Sequence, residues 1–332
     1  MQLAKRRQGD CERLATEKLS ERNPFAQAVR PTASKQSQRR FPIGSALVGA
    51  AELLGRLGLP PGTRAVIVSA DGLGECHACN EGVQRALTQG IASSASLMVP
   101  GPWAKEAAAR LAGMGLGVEL TLNAEHPLYR WGPVTHGLSL LGGDAGFPAT
   151  PEDTWGHADL DEVRRECQAQ VERAQAWGVE VTHLCCHLTT LVYRPEFFDV
   201  YLELALELNL PLRLPNKSAE GLVGFPFRER ALEEGAVFPD RVLSLEAEPA
   251  DLEGAAAWIA ERLLPGLTEI VTRPAVDTPE LRALDAAWQR RVAEAELLGR
   301  QSPLEAALAR RGAVVIGYGA LRDAAREAKA RG

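Results

Sequence analysis

Short apolar, β-branched runs recur along this chain, each followed by a stretch of helical spacing. That alternation narrows the fold to a mainly parallel sheet with helices on both faces. The first run, Ala65 to Ala70 (AVIVSA), leads straight into Asp71-Gly72-Leu73-Gly74. Further strands are expected at Ile91–Val99, Gly117–Leu122, Val179–Cys186, Leu210–Leu214, Val242–Leu245, Glu269–Thr272 and Ala313–Ile316. Between them the spacing predicts helices over His77–Gln89, Trp103–Ala112, Asp159–Trp177, Pro195–Leu208, Asp251–Leu264 and Pro279–Leu298. The most regular is Asp159–Trp177, where Leu160, Val163, Cys167, Val171 and Ala174 share a face and Gly178 supplies a stop. A distorted barrel and an open doubly wound sheet both satisfy the pattern.

The chain's 332 residues suffice for one large domain. Residues 1 to about 42 are poor in large apolar side chains and carry ten Lys and Arg against four Asp and Glu, so the remainder holds −12 against a net charge of −6. We expect a basic, weakly ordered extension over residues 1–60, ending in a short helix marked by Leu47, Leu53, Leu54 and Leu57, followed by one barrel domain over 61–326. The acidic body argues against a broad nucleic-acid surface. No apolar run approaches the roughly 20 residues that span a bilayer. The polar N-terminus lacks an apolar signal core, so a reducing cytoplasm with free thiols is the expected setting. Homodimerisation is expected only from the general habit of soluble proteins.

Ligands of parallel α/β folds meet the carboxyl ends of the strands. Four polar residues fall there: Asp71, Glu119, His187 and Arg273. Strand alternation puts Glu119, Thr121 and Asn123 on one face, and His183, Cys185 and His187 on another, so a carboxylate and an imidazole can converge in a barrel mouth. A structural reading is equally open, with Glu119 paired to a buried Arg and His187 hydrogen-bonded in the core. Tyr129-Arg130-Trp131 follows the Glu119 strand and offers aromatic faces and a donor to a sugar. Cys76-His77-Ala78-Cys79 has the C-x-x-C spacing but no second pair to complete a zinc site. The glycines after Asp71 lack the third glycine of a dinucleotide-binding turn.

VIVSADGLGECHACNEG, SASLMVPGPW, GVELTLNAEHPLYRWGP, VTHLCCHLTTL and EIVTRPAVDTPELRALD together resemble the YdjC-like family of carbohydrate deacetylases, in order and spacing, from about Asn23 to Ala324. The resemblance implies a distorted TIM-like (β/α) barrel of the polysaccharide-deacetylase type. It also implies a divalent metal (Mg, Zn or similar) and hydrolysis of an N-acetyl group from a sugar or glycoconjugate, with Asn123, Tyr129, Arg130 and Trp131 as substrate contacts. By the same resemblance Asp71 is the general base, Gly72 stands where the family has an Asp ligand, Glu119 where it has a His ligand, His187 keeps the third ligand, and Arg273 replaces a catalytic His. We therefore expect a remodelled metal site at Glu119 and His187, or an ion-pair cluster in which Arg273 takes the cation's place between Asp71 and Glu119. The functional expectation is a hydrolase of this type. The alternatives are a sugar-binding or scaffolding relative without turnover, and metal-independent acid/base chemistry at Asp71 and Glu119.

Overall fold

Strand β1, Arg64–Leu73, is buried along nearly its whole length, as a strand with neighbours on both edges and packing on both faces must be. The computed structural model describes residues 50–245 and 251–331. In it β1 is flanked by β2 (Ser94–Leu97), β3 (Gly115–Leu120) and β4 (Glu180–Cys186) on one side, and on the other by β5 (Arg241–Ser244) and β6 (Gly266–Thr272), in the order β4-β3-β2-β1-β6-β5, all parallel. β7 (Ala313–Val315) pairs with Arg64–Val66 at the start of β1, while β2 pairs with its end. Expected strand Ile91–Val99 is thus shorter than its apolar run, and Leu210–Leu214 forms no ladder, only a bridge between Leu212 and Leu184.

The sheet is not closed. Between its edges β4 and β5 runs the segment after Leu208, held to β4 by Leu184 N donating to Pro211 O and Arg213 N to Leu184 O, both at 2.9 Å. Three residues on, the Asn216 side chain donates to Val242 O (2.6 Å) and accepts from Val242 N (2.9 Å), pairing with β5 as a strand would. The architecture is therefore a distorted TIM-like barrel with one irregular side.

Alternation along β1 separates two cores. Val66, Val68 and Ala70 face outward into the layer beneath the helices, including Val163, Cys167, Val171 and Ala174 of Leu160–Ala176. Ala65 and Ile67 face inward and meet Leu267, Tyr318, Leu321, Leu53 and Leu54, so the helix Ala50–Arg56 and the C-terminal helix plug the barrel floor. The helix assigned from sequence to the extension belongs to the compact unit that begins at Ser45. Leu47 and residues 1–44 lie outside the described residues.

Above that apolar floor the interior turns polar. His183 is fully buried, stacks on Tyr318 at 3.7 Å and contacts Ser96 Oγ at 3.1 Å and Thr182 Oγ1 at 3.0 Å. Its ring lies over Gly117, where an added Cβ would come within 2.3 Å of it. The expected helix Pro279–Leu298 is two, Pro279–Leu284 and Trp288–Leu297, because Asp285 Oδ1 accepts from Ala287 N and turns the chain. We predict that Gly117→Ala costs about 1–3 kcal/mol in urea unfolding, since rigid backbone and ring both resist the methyl; an unchanged midpoint would show that His183 is free to move.

Candidate active site

At the carboxyl end of β1 the alternation that turns Ala65 and Ile67 inward also turns Asp71 into the barrel, and the register is irregular between Ala70 and Leu73, with Gly72 at φ +85°. Glu119 on β3 lies in register beside Cys185 on β4. Asp71, Glu119 and Cys185 each bring a ligand-type atom within 4.8 Å of the others, and all three are buried. The chain's fold therefore assembles a carboxylate-lined mouth from three strands.

Each carboxylate there has a cation. Arg213, from the irregular side, binds both oxygens of Asp71, Nη1 to Oδ2 at 2.5 Å and Nη2 to Oδ1 at 3.1 Å. The same guanidinium holds Glu269 Oε1 through Nη2 at 2.6 Å and Nε at 2.9 Å. Ser69 Oγ (2.6 Å) and Tyr318 OH (2.7 Å) complete the Glu269 carboxylate. Burial raises the Asp71 pKa against the pull of Arg213, so this carboxyl is more basic than an ordinary aspartate.

Glu119 Oε1 meets His187 Nδ1 at 2.8 Å, and Glu125 Oε2 meets Nε2 at 2.9 Å. Burial disfavours the imidazolium, but the charge of Glu125 and the hydrogen bonds of both glutamates outweigh it and raise the His187 pKa to about 10. Glu119 is held down despite its burial, chiefly by the hydrogen bond with His187. Its second oxygen, Oε2, is buried without a hydrogen-bond partner.

Glu75, 2% exposed, forms a third cluster with Arg291 Nη1 at 2.9 Å, His126 Nε2 at 3.1 Å and Arg273 Nη2 at 3.5 Å. Burial alone would raise its pKa; the charge of Arg291, the His126 hydrogen bond and the charge of Arg273 hold it well below the usual range. Arg273 thus lies against Glu75, and the guanidinium on Asp71 is Arg213's. Of the cations at the mouth Arg273 is the most exposed, at 27% of its side chain against 14% for Arg213 and 4% for Arg291.

The aromatic loop after β3 is largely committed to itself. Asn123 donates to Thr154 Oγ1 at 2.9 Å and Pro148 O at 3.3 Å and accepts from Thr190 Oγ1. Arg130 donates to Ala124 O, Phe147 O and Asp144. Trp131 is buried and donates to Asn123 O at 2.7 Å, with its ring edge-on to His187 at 6.3 Å. Tyr129 keeps a partly buried ring, its hydroxyl on Glu75 O at 2.9 Å.

Arg213, Glu75, Glu125, Glu269 and Arg291 were not singled out from the sequence. Arg213 had a signal in retrospect, a lone charge inside the apolar run Leu210–Leu214.

Fold and mouth together define a distorted TIM-like α/β barrel with a charged, carboxylate-lined mouth. Residues 65–308 match the family described as YdjC-like protein, and the chain belongs to that family. A relative from Thermus thermophilus named carbohydrate deacetylase is 39% identical over 247 residues, 73% of this chain and 89% of its own length. Another so named, from Thermoanaerobacter pseudethanolicus, is 27% identical over 72% of this chain and 92% of its own. In shape the chain is similar to an Enterococcus faecalis structure described as a cellobiose-phosphate cleavage protein, with TM-score 0.66 and 22% identity, covering 78% of this chain and 99% of that one.

The metal that the resemblance implies would be held at positions 72, 119 and 187. These residues do not fit it. At position 72 a Cβ would meet Arg291 Nη2 at 2.6 Å, so a guanidinium occupies the space of the missing carboxylate. At 119 an acid replaces an imidazole, and at 187 both ring nitrogens carry hydrogen bonds. Asp71, Glu119 and Cys185 remain as an oxygen and sulfur cluster, with Arg213 on Asp71.

The His187 pair fixes a pH dependence. With its pKa raised from 6.5 to about 10, His187 contributes stability that is complete below pH 6.5 and lost as pH rises towards 10. Glu125, lowered from 4.5 to about 2, contributes stability that is complete above 4.5 and lost as pH falls towards 2. We predict that urea unfolding of the wild type weakens between pH 6.5 and 10 and that His187→Gln abolishes that slope; parallel curves for the two proteins would contradict the imidazolium.

Proposed function

We propose that this chain is a carbohydrate-directed hydrolase of the deacetylase type in which fixed side-chain cations stand in place of the family's dication. The observation that carries the reading is at position 72, where the Arg291 guanidinium fills the space beside Gly72 in which the resemblance implies a metal-binding carboxylate. The share of the chain matched by relatives named carbohydrate deacetylase supports an N-acetylated sugar or glycoconjugate as the substrate class. No described helix is long and apolar enough to cross a membrane.

In this reading Asp71 accepts the proton of an attacking water, and its raised pKa suits it to that task. Arg213 orients the carboxylate through two hydrogen bonds. Arg273, the most exposed cation of the mouth, faces the negative charge that develops on the acetamide oxygen. Tyr129 lines the entrance as an aromatic surface for a sugar ring. A fixed guanidinium stabilises charge but does not acidify water as a Lewis acid does, so turnover is slow.

One observation favours a second reading, a sugar-binding protein without turnover. Both nitrogens of His187 are engaged by glutamates, which leaves that imidazole no free nitrogen to protonate the leaving amine. Acetate release from N-acetylated chitooligosaccharides, measured beside calorimetric binding, separates the two. We expect slow release that survives EDTA and disappears in Asp71→Asn. Binding with no acetate supports the second reading; release that requires added metal, or neither binding nor release, overturns the first.

A further inference from the structure

The C-x-x-C motif takes no part in the chemistry above. Cys76 stands at the N-cap of the 12-residue helix His77–Thr88 and makes no side-chain capping bond. Cys79 lies one turn further in, so both thiols sit at the positive end of the helix dipole. Their sulfurs are 3.0 Å apart, about 1 Å beyond a covalent disulfide. Arg291 Nη2 donates to Cys79 Sγ at 3.0 Å, and Glu75 Oε2 accepts from it at 3.7 Å.

We propose that Cys76 and Cys79 form a redox-active dithiol that hydrogen peroxide closes into an intrachain disulfide. The Cys76 thiolate attacks one peroxide oxygen, breaking the O–O bond; the sulfur becomes a sulfenic acid and hydroxide leaves, taking up a proton as water. The Cys79 sulfur then attacks Cys76, the S–O bond breaks, and the second hydroxide leaves with the Cys79 proton. Two thiols and one peroxide thus give one disulfide and two waters.

The surroundings favour this order. Cys76 is the thiol at the helix N-cap, and the hydrogen bond shared by the two thiols holds its pKa down while that bond and burial push Cys79 up, so Cys76 acts as the nucleophile. Both residues are fully buried, so bulky disulfides are excluded and peroxide reaches the pair only when the fold opens locally. Cys167 is buried too, is a free thiol among the described residues, and burial pushes its pKa well up. The disulfide would also be felt at the mouth, because Arg291, which fills the space at Gly72, loses the Cys79 thiol from its set of partners.

The test is peroxide treatment of the folded full chain, followed by alkylation and peptide mass spectrometry. The expected result is loss of two hydrogens from the Cys76–Cys79 peptide with no alkylation of either residue, reversed by dithiothreitol, while Cys167 remains a thiol. In Cys79→Ser the reaction should stop at a Cys76 sulfenic acid that dimedone captures. Free thiols at 76 and 79 after excess peroxide, or direct conversion to sulfinic acid in the wild type, would overturn the proposal, whatever the variant does.

Discussion

One guanidinium shared by two buried carboxylates organises this barrel. Asp71 on β1 and Glu269 on β6 both point into the interior, and neither could stay ionised there alone. Arg213 answers both, and it can do so because the segment carrying it runs between the edge strands β4 and β5. The same contact therefore helps close the irregular side of the barrel and sets the charge at its mouth. Tyr318 ties this to the floor, since its hydroxyl binds Glu269 and its ring stacks on His183.

From there outward, the departures from the family pattern form a consistent set. At Gly72, where the resemblance implies a metal-binding carboxylate, Arg291 fills the space and is neutralised by Glu75. Glu119, where the resemblance implies an imidazole, takes His187 as its partner, and Glu125 holds the other side of the ring. Arg273, where the resemblance implies a His, lies against Glu75. Glu119, Arg273 and the Arg291 that fills the space at Gly72 each meet a charge of opposite sign on a side chain fixed in the fold.

The barrel was legible because its signals are local: β-branched runs, helix faces such as Val163 to Ala174, and stop residues such as Gly178. Where local cues compete, the reading slipped, as at Asp285, whose side-chain bond breaks one expected helix into two. The convergence of Glu119 and His187 followed from strand alternation. Their partners did not, because Arg213 meets Asp71 across 142 positions of sequence and Arg291 meets Cys79 across 212, pairings set by strand order and helix placement. Expected sugar contacts Asn123, Arg130 and Trp131 proved to hold their own loop together, a role that residue type alone does not distinguish from binding.

The claim that fixed cations replace the family's dication is tested most directly by elemental analysis of the protein purified without chelator or affinity metal. The account predicts no stoichiometric Zn, Mn, Co, Ni or Mg, and no metal uptake on dialysis at neutral pH. One equivalent of tightly held metal, lost on substitution of Glu119 or His187 by Ala, would contradict it.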